Sequence, residues 1–290
     1  MVSNGANEML KVINELGSLF ARQWIAGTKE SDAIHAGTQI NKQGKSAIFN
    51  YLGENFTDGA KIENSVRIYF DLFRLMKQSG VKGSVSIKPS QLGLHVSDQL
   101  FYKNYLRIVL HASKLGYDVW VDAEEYEYID RTHRAVIRML KRHKNTGIGI
   151  QTKLRRSARD AEAIARHGGL IRLVKGAYAE PEERAYNTKE EIRANYLHIM
   201  ELLFKRKARL MVATHDDYLI FKALSLQKKY KCKAMFAMLK GIRGNLANKL
   251  VAEGEEVHIY VPFGEEWFEY SIRRMQEGHI TLLIRSMFQQ

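Results

Sequence analysis

The chain has 290 residues, with 45 Lys plus Arg against 32 Asp plus Glu, giving a formal net charge of +13. Its 45% apolar and 10% aromatic residues are enough to bury a sizeable core, which excludes a disordered chain. Only 3 prolines occur, and no stretch free of Asp, Glu, Lys and Arg reaches ten residues, which excludes collagen-like repeats and membrane-spanning helices.

At the front, Met1–Phe20 carries Glu8, Lys11 and Glu15 within its apolar stretch. That pattern interrupts the continuous hydrophobic region of a secretory signal and predicts an amphipathic helix over Asn7–Ala26. Eight short apolar or β-branched runs follow in order: Ser46–Leu52, Ser84–Lys88, Asp118–Asp122, Gly147–Gln151, Leu170–Val174, Leu210–Thr214, Ala234–Leu239 and Val257–Pro262. Several are nearly continuous in hydrophobicity, as strands covered on both faces of a parallel sheet are. Each is followed by a segment with helical spacing. Ser97 caps the helix that Gly116 ends, and Thr188 with Glu191 forms a capping box opening a helix to about Lys207, so Ala179–Asn187 is a loop. Cys232 is the only cysteine, so no intrachain disulfide forms and a reducing, cytoplasmic setting is expected.

Eight strand–helix pairs predict a closed α/β barrel, which takes about 250 residues. The division that follows is a helical segment over 1–44, a barrel over 45–279 and an apolar tail over 280–290. The tail, with Ile280–Ile284, Met287 and Phe288, reads either as a helix docked on the barrel or as an interfacial contact with an anionic membrane.

Active sites of such barrels lie at the C-terminal strand ends, and here those ends are polar. They supply Glu54, Lys88, Asp122, Gln151, Arg172 with Lys175, Thr214 with His215, and Tyr260. Beyond the last strand, Arg273 and Arg274 are either a surface pair or a two-pronged clamp for a carboxylate, which planar guanidinium groups bind well. There is no HExxH, CxxC, Walker loop or GxGxxG after a strand, so no metal is expected, and attention turns to a cofactor bound across the mouth. Four basic clusters, 141–144, 153–156, 205–209 and 228–233, sit at predicted helix ends. No nucleic-acid motif accompanies them, and they read as solvated surface.

These strand-end segments resemble the proline dehydrogenase family. The matching blocks are Tyr51–Asp58, Ser84–Gly93, Val119–Glu125, Arg172–Tyr178, Ala213–Asp216, Phe236–Arg243 and Tyr260–Gly264 followed by Arg273-Arg274. The resemblance implies a distorted (βα)8 barrel, FAD as cofactor, oxidation of L-proline to Δ1-pyrroline-5-carboxylate by hydride transfer to flavin N5, and a quinone-type acceptor. It implies that Arg273, Arg274 and Lys88 bind the substrate carboxylate, that Tyr260 packs on the ring, and that Tyr178 and Leu239 line the pocket. Glu54 resembles a gate residue that pairs with one of the arginines when the site is closed, and the resemblance implies that Asp122 sits between flavin and substrate site and helps to fix Lys88. For the cofactor it implies Asp122, Gln151, Arg172 and Val174 near the flavin ring system, with Lys175, Gly176, Ala177, Thr214 and His215 cradling the rest. Lys88, Asp122 and Arg172 form the catalytic group. Two positions depart from the family pattern: Pro89 stands where an aliphatic residue is usual, and Lys153 where an aromatic or small one is. The alternatives are a modified proline such as hydroxyproline, against which the bulk of Tyr260 argues, and a basic protein that binds nucleic acid or membrane without catalysis.

Overall fold

The computed structural model describes residues 23–268 and 270–271. Eight parallel strands close into a barrel in chain order: β1 (Ser46–Tyr51), β2 (Gly83–Ile87), β3 (Val119–Val121), β4 (Thr146–Gln151), β5 (Leu170–Val174), β6 (Leu210–Ala213), β7 (Met235–Leu239) and β8 (Glu256–Phe263). The helices are α1 (Glu30–Lys42), α2 (Gly59–Ser79), α3 (Asp98–Leu115), α4 (Ile129–Leu140), α5 (Ser157–Arg166), α6 (Lys189–Lys205), α7 (Asp217–Tyr230) and α8 (Gly244–Ala252). The eight predicted strands are all present. Regular pairing ends one residue earlier than predicted in four, leaving Leu52, Lys88, Asp122 and Thr214 just beyond β1, β2, β3 and β6, although Asp122 N–H still bonds to Ile87 C=O at 2.9 Å.

The predicted helix ends hold through the chemistry that suggested them. Ser97 Oγ accepts from Leu100 N–H at 3.0 Å, and Gly116 ends α3 at φ 83°. Thr188 and Glu191 form the reciprocal box that starts α6. At the front, Gln23–Ala26 form a turn and an extended stretch where the end of a helix was predicted, and Ala26 N–H bonds to Pro262 C=O at 2.8 Å. This pairing with β8 takes up a donor that a helix would have used internally. The rest of that predicted helix and the apolar tail lie outside the described residues.

In a regular barrel the helix after β8 covers the seam between β8 and β1. Here α1, which precedes β1, packs on β1, β8 and α2 and takes that place. The chain after β8 turns helical again at Trp267–Phe268, and Tyr270 packs with Trp24, Ile25, Leu52 and Ile242. Trp24 Nε1 donates to Ser271 Oγ at 2.9 Å, tying the two ends of the described chain together.

Side chains alternate across each strand, so the barrel fills in layers two residues apart. The lower layer is apolar: Ile48, Trp120, Leu170, Met211 and Ala237. Trp120 fits because β4 carries glycine opposite it. A Cβ on Gly147 would lie 2.9 Å from the indole and 2.3 Å from Leu170 Cβ. Trp120 Nε1 donates to Ser84 Oγ at 3.1 Å, which satisfies the one polar atom of that layer's largest side chain. Two residues further along the same strands come Ser86, Asp122 and Arg172. The apolar layer is therefore the floor of the polar site above it.

Candidate active site

Asp122 is the hub. Its Oδ1 accepts from Ser86 Oγ at 2.6 Å and from Arg172 Nη2, and its Oδ2 accepts from Tyr260 OH at 2.7 Å. Lys88 Nζ lies 3.7 Å from the same Oδ2 and 3.8 Å from Glu54 Oε2. Burial pushes the pKa of Asp122 up, but the charges of Arg172 and Lys88 and the bonds from Ser86 and Tyr260 outweigh it and hold the carboxyl below its ordinary value. For Lys88, burial lowers the pKa, yet Tyr178, Asp122, Glu124 and Glu54 together leave it raised, so the group stays cationic. The Tyr260 phenol is held well above its ordinary pKa by burial and by Asp122, and so acts as a donor. The Arg172 guanidinium also lies within cation–π range of two rings, 5.4 Å from that of Trp120 and 5.5 Å from that of Tyr260.

Next to this network lies a carboxyl that the sequence reading passed over. Glu124, two residues past Asp122, accepts from Ser90 N–H at 2.8 Å and from Ser90 Oγ at 2.5 Å. Burial pushes its pKa up to about 7 against the attraction of Lys88. Pro89, just before Ser90, prepares this contact. At φ −54° it opens the short 3-10 turn Ser90–Leu92, where a missing N–H costs nothing, and that turn presents Ser90 to Glu124. Ser86 was also missed. The signal was present on β2, where Ser84, Ser86 and Lys88 make every second residue polar.

Around the rim the predicted cofactor residues gather at the ends of β4, β5 and β6. Gln151 Nε2 donates to Glu124 C=O at 2.8 Å, and Thr152 N–H pairs with Val174 C=O at 2.8 Å. Gly176 has φ 109°, and a Cβ there would lie 2.8 Å from the Lys153 side chain and 3.0 Å from Gln151 Oε1. Ala177 is exposed beside it. Lys175 Nζ bonds to Asp216 Oδ2 at 2.8 Å, sharing that oxygen with Arg193 at 3.0 Å. Thr214 is buried and its Oγ1 accepts from Asp216 N–H at 3.2 Å, while His215 Nε2 accepts from Leu239 N–H at 3.1 Å. Leu239 packs against the Trp24–Tyr270 cluster. The structure thus brings Glu54, Lys88, Asp122, Arg172 and Tyr260 into one network, with Tyr178 close enough to Lys88 to act on its charge. Arg273 and Arg274 lie outside the described residues.

Fold and site together define a (βα)8-barrel enzyme whose mouth holds a buried, charge-balanced network. The family profile for proline dehydrogenase matches residues 33–281, and the chain belongs to the proline dehydrogenase family. It is 31% identical to "Proline dehydrogenase" of Deinococcus radiodurans over 265 residues, 89% of this chain and 86% of the relative. It is 28% identical to "Proline dehydrogenase 2" of Bacillus subtilis over 256 residues, 87% of this chain and 84% of that one. Among solved structures, proline utilization A of Bdellovibrio bacteriovorus, inactivated by N-propargylglycine, superposes with a TM-score of 0.86 at 20% identity, covering 93% of this chain. This chain spans 34% of that protein's length, and the likeness supports the barrel fold. The alternative of a basic binding protein without catalysis is set aside by these matches.

Proposed function

We propose that this enzyme uses FAD to oxidise L-proline to Δ1-pyrroline-5-carboxylate and passes the electrons to a quinone-type acceptor. The observation that carries this reading is the Asp122-centred network of Lys88, Arg172 and Tyr260 at the barrel mouth. Two buried polar atoms beside it have no hydrogen-bond partner among the described residues: Arg172 Nη1, a donor, and Gln151 Oε1, an acceptor. Arg172 and Gln151 lie on the adjacent strands β5 and β4. A flavin ring system carries both acceptors and a donor on its edge, so these residues fit the group.

When bound, FAD supplies the hydride acceptor. The chain's own residues do the rest. Lys88, with Arg273 and Arg274, binds the substrate carboxylate and so fixes the ring carbon next to nitrogen in one place, which removes alignment entropy from the reaction. Cationic Lys88 also disfavours a second positive charge on the substrate, selecting the neutral amine whose lone pair assists loss of hydride. Tyr260 packs on the pyrrolidine ring, where its bulk leaves little room for an added hydroxyl on the substrate, while its own hydroxyl donates to Asp122. Asp122 holds the Arg172 guanidinium in place, and that fixed positive charge would favour an anionic, reduced cofactor bound beside it. Glu54 gates the carboxylate side beside Lys88. Val174 and Gln151 would lie at the flavin ring system, and Lys175, Gly176, Ala177, Thr214 and His215 would cradle the rest of the cofactor. We place the protein in the cytoplasm, with peripheral contact to an anionic membrane; no described helix is long and apolar enough to cross one.

Anaerobic titration of the FAD-loaded enzyme tests this reading. Proline is expected to bleach the flavin band, hydroxyproline and other amino acids to leave it, and a soluble quinone analogue to restore it. A protein that binds no FAD, or whose flavin proline does not reduce, would overturn it.

A further inference from the structure

Lys153, two residues past Gln151, ties the end of β4 to the chain that follows β5. Its N–H donates to Lys175 C=O at 2.9 Å, and its C=O accepts from Tyr186 N–H at 2.7 Å. Its Nζ reaches across the rim to donate to Tyr178 C=O at 2.6 Å. The aliphatic stem runs over Gly176, where any Cβ would collide with it. Among the described residues the bond from Lys153 Nζ is the one hydrogen bond made by the backbone of residues 176–179. That stretch leaves β5 and carries Tyr178, whose ring is partly buried while Ala177 and Ala179 on either side are exposed. Burial raises the phenol's pKa against the pull of Lys88, so the ring lies within electrostatic reach of the cation assigned to the substrate carboxylate.

We propose that Lys153 is a positioning residue for proline binding. Its ammonium holds the Tyr178 carbonyl and thereby fixes the height of the Tyr178 ring over the pocket beside Lys88. A long stem with a charged donor suits this task, because it crosses from the end of β4 to a loop that has no backbone partner of its own. The residue replaces, with a side-chain tether, the order that 176–179 lacks from secondary structure. This inference rests on the reading that Tyr178 lines the proline pocket, and the test separates the two.

The variants are Lys153→Met, which keeps the stem and removes the donor, and Lys153→Arg, which keeps a donor. Chymotryptic cleavage after Tyr178 reads the tether without substrate or flavin. It is expected to accelerate about fivefold or more in Lys153→Met, at unchanged melting temperature, and to return toward wild type in Lys153→Arg. With the FAD-loaded enzyme, the proline KM of Lys153→Met is expected to rise about fivefold while kcat stays within about twofold, and Lys153→Arg to restore KM. Unchanged cleavage after Tyr178 would overturn the tether. Faster cleavage with unchanged KM would overturn its link to the substrate. A wild-type protein inactive on proline would instead overturn the functional reading, with the cleavage result still deciding the tether.

Discussion

Single residues carry more of this site than their types announce. Lys88, Asp122, Arg172 and Tyr260 were legible because a polar group stands at nearly every strand end and the blocks around them resemble a family, and the structure joins them. Glu124, Ser86 and Lys153 were harder to read, since their roles depend on which neighbour each one faces rather than on residue type. Glu124 makes a prediction at this scale. Its pKa rises from 4.5 to about 7 in the folded chain, so the fold binds its proton more tightly than the unfolded chain does. Its contribution to stability is full below about pH 4.5, falls as the pH rises toward 7 and is lost above that. The difference between the two pKa values corresponds to a few kcal/mol. Glu124→Gln removes the titration while keeping an acceptor for Ser90. The fall in melting temperature from about pH 5 to pH 7.5 is expected to be shallower in the variant than in wild type. Parallel profiles would show that Glu124 ionises normally.

At the scale of elements, the strands were legible from their hydrophobic runs, and the helix ends from Ser97, Gly116, Thr188 and Glu191. What the sequence could not show is that α1 closes the seam, since its periodicity says only that one face is buried and not against which strand. Likewise Gly147 reads in isolation as a weak point in a strand, whereas the structure makes it the space that Trp120 occupies. Gly147→Ala is therefore expected to destabilise the barrel by about 1–3 kcal/mol, because the new methyl meets backbone and Leu170 as well as the indole. Urea denaturation measures this, and an unchanged midpoint would mean that β4 and β5 can separate freely. The displaced indole would also shift the floor under Arg172, so proline oxidation should fall in the same variant.

Across the whole molecule, the positive excess is unevenly placed. The cluster at 153–156 is at the mouth end and is absorbed by structure: Arg156 pairs with Asp130 and Asp160, Arg155 donates to Glu182 C=O, and Lys153 holds Tyr178. The clusters at 141–144, 205–209 and 228–233 follow the ends of α4, α6 and α7, and so lie together at the opposite end of the barrel. Lys141, Arg142, Lys144, Lys205, Lys207, Arg209, Lys228 and Lys231 are exposed there, with no ion-pair partner among the described residues. The proposed contact with an anionic membrane falls on this face. Vesicles rich in phosphatidylglycerol are expected to retain the protein at low salt and release it at about 0.5 M salt, with Lys205→Glu and Lys207→Glu together weakening retention. Equal binding to neutral vesicles would assign the contact to the apolar tail. The seam between β1 and β8 has a consequence of another kind. Its register joins Ala47 to Ile259, so strand pairs of small sequence separation can assemble long before this one. Contacts so far apart in the chain are slow to form. Tyr260 lies on the last strand and Asp122 near the middle of the chain, so their hydrogen bond exists only once the ring has closed. A growing or partly folded chain therefore lacks the assembled site, and the capacity for redox chemistry arrives together with the completed barrel.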